Sequence, residues 1–165
     1  MKRIESALER VMFNSRWLLV PFYIGLILAI ALLLVKFVKE FAKLVPFVIT
    51  GGGSDVIIGI LSLIDITLVA NLLLIIVFAG YENFVSKIHT GDHEDRPEWM
   101  GHVSFSDLKI KVIGSIVAIS AIELLKSFVN TEQFTTEQLA WKVGIHLTFV
   151  VSGVLFAVMD KMSGH

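Results

Sequence analysis

The chain of 165 residues has no cysteine, no excess of basic charge and no catalytic signature, and each absence removes a class of protein. Without cysteine there are no disulfides and no thiolate metal sites. With 14 Lys and Arg against 15 Asp and Glu, net charge is −1, and nothing argues for nucleic acid as a partner. No nucleophile elbow, phosphate loop or zinc-protease motif occurs, so no enzyme activity and no cofactor are expected. No small-residue cleavage pattern follows the first apolar block, which reads as a retained membrane helix rather than a signal peptide. No low-complexity tract divides the chain, and residues 1–165 read as a single domain.

What is present is apolar. Hydrophobic residues make up 55% of the chain, mean hydropathy is +0.79, and the apolar residues gather in long blocks, as in a polytopic membrane protein. Four spans are expected, at about 17–35, 56–79, 110–129 and 141–159. Trp17, Tyr81 and Trp141 fall at span ends as interface anchors. Basic residues on the two sides divide nine to five. The richer side holds both termini and the 80–109 loop, which places them in the cytoplasm of a cell whose plasma (inner) membrane the chain crosses.

Two flanking segments carry helical amphipathic patterns. In Lys36–Ile49, Phe37, Phe41, Leu44, Val45 and Val48 oppose Lys36, Lys39, Glu40 and Lys43. This predicts a surface helix ended by Pro46 and the Gly51-Gly52-Gly53-Ser54 turn. The N-terminal arm repeats the pattern through Ile4, Leu8, Val11 and Met12. Tyr81–Ile88 continues the second helix, Gly91–Pro97 is an acidic turn, and Ser106 with Asp107 reads as the N-cap of the third helix. His89, Asp92, His93, Glu94 and Asp95 are metal-ligand types, but their spacing matches no zinc or calcium loop, and no metal site is expected.

The chemistry-bearing candidates lie within the spans. Asp65 is the only charged side chain in Val56–Ala79. A carboxylate at mid-depth costs roughly 2.5–3.5 kcal/mol on the insertion scale, so it must face protein or water. By rise per residue, Glu123 and His146 share a depth roughly 8–9 Å below the outer surface, and Asp65 lies about one helical turn deeper. These three groups are therefore read as one cluster, a polar path for a proton or solute. No basic residue of the spans lies at the depth of Asp65 on this reckoning. Ser62, one turn from Asp65, lines the same path or hydrogen-bonds the carboxylate. Structural alternatives stand beside these roles. Glu123 pairs with Lys126 or His146, His146 is a packed interhelical residue, and Asn71 bonds a neighbouring helix. Gly144, Thr148 and Ser152, Gly153 and Ala157, and Gly114 and Ala118 recur at four-residue spacing. These stripes suit helix packing, within or between subunits, or else a pore lining.

Five segments resemble the bacterial YqhA family of small inner-membrane proteins. They are Ser15–Leu19, Leu61–Asp65, Gly80–Ser86, Ser115–Ser120 and Ile145–Val150, in that order along nearly the whole chain. The matches include Asp65, Tyr81, Glu82, Asn83 and His146, and Glu123 lies outside them. The resemblance implies a four-span plasma-membrane protein linked to solute transport alongside binding-protein systems.

The expected fold is an all-α membrane protein: four transmembrane helices with amphipathic interfacial helices, assembled as a homo-oligomeric bundle. The expected function is a solute or ion transporter or channel component, its path built from Asp65, His146, Ser62 and Glu123. The expected partners are the lipid bilayer, further copies of the chain, and a periplasmic solute-binding or cytoplasmic protein. The rival expectation is a non-transporting scaffold or accessory subunit that docks a cytoplasmic partner through Tyr81, Glu82 and Asn83.

Overall fold

A computed structural model describes residues 2–50, 53–87 and 104–163. The described chain is helical, with α1 (Lys2–Ser15), a 3₁₀ turn (Arg16–Leu19), α2 (Val20–Thr50), α3 (Gly53–Phe84), α4 (Phe105–Val129), a second 3₁₀ turn (Thr131–Gln133) and α5 (Thr136–Met162). Among the described residues, four helical stretches are long and apolar enough to cross a membrane: Ser6–Thr50, Asp55–Phe84, Ser106–Val129 and Thr136–Met162. The chain is a multi-pass membrane protein. The acidic turn and the metal-type residues 89–95 fall outside the described residues.

The helices pack in chain order, α2 on α3, α3 on α4 and α4 on α5. No comparable packing joins α5 back to α2 among the described residues, so the outer faces of both helices are left for the bilayer or for other subunits. The buried side chains include Leu44 of α2, Leu61, Ile66, Val77 and Ala79 of α3, and Leu108 and Ser127 of α4.

One expectation is corrected here. Lys36–Ile49 is no separate surface helix, because α2 runs unbroken for 31 residues through Pro46. Pro46 removes one intrahelical hydrogen bond but sits only four residues from the helix end, where Thr50 Oγ1 donates to the Pro46 carbonyl at 2.9 Å. The segment stays upright because Leu44 is buried on α3 at Gly59, where a Cβ would stand 2.5 Å from Leu44 Cδ1. At 1.5 Å per residue α2 and α3 are each about 46–48 Å long, well beyond the roughly 30 Å hydrocarbon core. Toward the other end of the same pair, Gly80 admits Tyr23. A Cβ there would lie 2.7 Å from the Tyr23 hydroxyl and 2.8 Å from its ring.

The start of α4 is also corrected. Its N-cap is Ser104, not Ser106. The Asp107 amide donates to Ser104 Oγ at 3.1 Å, while the Ser104 amide donates to Asp107 Oδ2 at 3.1 Å. This reciprocal box satisfies two amides that the first helical turn leaves without partners. Thr135 and Gln138 form the same box on α5. The N-terminal arm forms α1 as its pattern predicts. Its Ile4, Leu8, Val11 and Met12 are exposed, and the Arg16 guanidinium lies 3.9 Å from the centre of the Phe13 ring.

Candidate functional site

Asp65, Glu123, Lys126 and Lys142 lie toward the end of the molecule that carries the α2–α3 and α4–α5 connections. Lys126 Nζ of α4 donates to Asp65 Oδ2 of α3 at 2.9 Å, with the two side chains only 17% and 25% exposed. The same ammonium lies 3.5 Å from Glu123 Oε2, one turn away on α4. Glu123 Oε1 in turn accepts from Lys142 Nζ of α5 at 3.2 Å. The result is a chain of alternating charges, Asp65, Lys126, Glu123 and Lys142, that crosses three helices and sums to zero.

The reckoning that no cation lies at the depth of Asp65 is thereby overturned, and the reason is side-chain direction. Helical side chains tilt toward their own N-terminus. In antiparallel α3 and α4 this leans Asp65 toward the connection end and Lys126 away from it, so the long lysine stem closes a gap that Cα heights leave open. The pair is incomplete on one side. Asp65 Oδ1 is buried and has no hydrogen-bond partner among the described residues. Ser62, half-buried one turn away, does not supply one.

His146 joins a second seam. Its Nδ1 lies 2.7 Å from Ser120 Oγ, between α5 and α4. Ser120 precedes Glu123 by three residues and Lys142 precedes His146 by four, so these two contacts are successive rungs of the α4–α5 seam. The expected cluster of Asp65, Glu123 and His146 is thus replaced by two seams on different faces of α4, linked through Lys126 and Glu123. Of the two partners expected for Glu123, the structure supplies Lys126, and it adds Lys142. Beside the rungs is a groove of about 480 Å³, lined by Ser120, Glu123 and Lys142 and by apolar residues that include Ile116, Ile145 and Phe149.

Tyr81, Glu82 and Asn83 lie at the opposite end of α3. The Tyr81 ring packs edge-on against Tyr23, with centroids 6.3 Å apart and planes at 77°. Asn83 is exposed, and its Nδ2 donates to the Ala79 carbonyl at 2.8 Å. Glu82 is half-buried.

The small-residue stripes divide. Gly153 faces α4, where a Cβ would meet Ile113 Cγ2 at 3.1 Å, and Gly114 and Ala157 share that groove. Gly144, Thr148 and Ser152 are exposed, and Thr148 Oγ1 donates to the Gly144 carbonyl. Among the described residues no group of three His, Asp or Glu converges as a metal site would require. The sequence reading missed Lys126 as the partner of Asp65, Lys142 as a partner of Glu123, and Ser120 as the partner of His146. The signal was available in Lys126 and Lys142, the basic residues near the end of α4 and the start of α5.

No solved structure matches the chain. A family match spans residues 12–128, which takes in Asp65, Tyr81, Glu82, Asn83, Glu123 and Lys126 and leaves Lys142 and His146 outside. On that match the chain belongs to the uncharacterized protein family UPF0114, the family of the YqhA-like proteins that its five segments resemble.

Proposed function

We propose that the protein is a solute or ion transporter or channel component of the bacterial plasma membrane, with both termini in the cytoplasm. On this reading the Asp65–Lys126 pair is its charge-switching element. One observation carries it: a carboxylate within the span has one oxygen held by a lysine and the other buried without a partner among the described residues. A buried acceptor of this kind is unsatisfied until a proton, cation or solute donor reaches it. Binding there competes with Lys126, and release of Lys126 passes the change to Glu123 and Lys142 on the next helices. Such a chain couples occupancy of one site to the spacing of three helices. Ser62 lies one turn from Asp65, and His146 with Ser120 extends the polar surface along the α4–α5 seam. Because the four helices pack in a row, a translocation path is more readily built between copies than within one. A periplasmic solute-binding protein would be the partner that delivers the solute.

The scaffold reading draws support from a different observation. The charge chain is internally balanced, and balanced interhelical pairs also serve assembly alone. In that case Tyr81, Glu82 and Asn83 would dock a cytoplasmic protein.

A thiol-accessibility experiment separates the two. The chain has no native cysteine, so Ser62→Cys is a clean probe one turn from Asp65. Transport requires that a membrane-impermeant thiol reagent label it from one side of sealed vesicles. Labelling from neither side would remove the water path and favour the scaffold.

A further inference from the structure

One face of α3 is unaccounted for by the fold. Between residues 56 and 82, the exposed positions of α3 are Ile57, Ile60, Ile64, Thr67, Asn71 and Leu74. Their spacing alternates three and four residues without a break, the repeat of a helix that packs along its length against another helix. The rest of α3 is covered by α2 and α4. Five of the six are compatible with lipid. Four are aliphatic, and Thr67 Oγ1 donates to the Leu63 carbonyl at 2.8 Å.

Asn71 is the exception. It lies within the apolar run, is exposed, and its side chain makes no hydrogen bond among the described residues. Several other polar side chains of the spans are satisfied within the chain. Ser115 and Ser127 donate to carbonyls one turn back, Ser120 meets His146, and Lys126 meets Asp65. A carboxamide has two donors and an acceptor, and hydrocarbon offers it nothing.

We infer that this stripe of α3 is a subunit interface, on which α3 of a second copy packs with the two Asn71 carboxamides hydrogen-bonded to each other. The carboxamide identifies the occupant. Donor and acceptor in one group are self-complementary, so two-fold related copies satisfy each other where a lipid chain satisfies neither. A single polar residue within an apolar heptad seam also sets register, which fixes the two helices level at residue 71. The inference rests on the membrane-spanning reading of α3 and not on transport, so it stands or falls separately from the flux proposed above.

Single cysteines one turn to either side of Asn71, Thr67→Cys and Leu74→Cys, keep the carboxamide and report on the seam. Mild oxidation in native membranes should give a disulfide-linked dimer from each. A cysteine at Val151, exposed on α5, should give none. Adding Asn71→Leu, which keeps an apolar surface and leaves the fold intact, should weaken dimerisation by roughly three- to twentyfold, the range of one interhelical hydrogen bond. Native mass spectrometry should show the same loss for Asn71→Leu alone. Absence of cross-linking at both α3 cysteines, equal cross-linking at Val151, or dimerisation unchanged by Asn71→Leu would overturn the proposal. So would cross-linking to a different protein.

Discussion

Replacing Lys126 by Met tests what holds α3 against α4. At an effective dielectric near 20, unit charges 2.9 Å apart attract by about 6 kcal/mol, of which desolvation of the two groups cancels a large part. Removing one member is worse than removing both, because it strands the other. Breaking a buried pair costs about 3–5 kcal/mol, and partial exposure here lowers the expectation to about 2–4 kcal/mol for Lys126→Met. Methionine keeps the length and apolar stem of lysine, so packing changes little. Glu123 retains Lys142 and is not stranded. The double variant Asp65→Asn with Lys126→Met has no orphaned charge and should lie within about 1 kcal/mol of the parent. Reversible detergent-titrated unfolding in bicelles, followed by circular dichroism, measures all four corners of the cycle. A coupling of about 2 kcal/mol or more is expected between the two sites. Additive effects, or a Lys126→Met variant as stable as the parent, would refute the claim that the pair is a buried interhelical contact.

Other consequences follow from packing and capping. Gly80→Ala drives a methyl into the rigid Tyr23 ring and should cost about 1–3 kcal/mol. Gly59→Ala meets only the rotatable end of Leu44 and should cost less, an ordering that thermal unfolding of the two variants checks. Ser104→Ala removes the cap of α4 and should cost about 1 kcal/mol, with faster amide exchange confined to the first turn of that helix. Ser120→Ala removes the partner of His146 and should cost about 0.6 kcal/mol and no more than about 1.7, read by the same unfolding titration.

The sequence announces the spans because length and hydropathy decide them, and neither depends on partners. The Ser104 cap was there to be read as well, since Ser104 and Asp107 stand at the spacing of a capping box. Choosing the adjacent Ser106-Asp107 pair misplaced the helix start by two residues. The upright α2 was not legible, because Pro46 and the Lys36, Lys39, Lys43 face argue for a surface helix. What overrides them is a tertiary contact, Leu44 in the hollow at Gly59. Nor was the partner of Asp65. Counting rise per residue places Cα atoms, whereas a lysine delivers its charge several bonds away and toward its own N-terminus. Glu123 and Lys142 stand level because each lies six residues from the ends of α4 and α5 that meet at their connection, and His146, four residues further along α5, falls one rung along the seam.

Charge movement in proteoliposomes shows whether Asp65 stands on a conducting or coupling path. The purified protein is placed under an imposed pH gradient, with and without small carboxylates, beside Asp65→Asn at matched oligomeric state. Movement is expected in the parent protein and its loss in the variant, which keeps the shape of the side chain but removes its charge. Equal movement in both would contradict it.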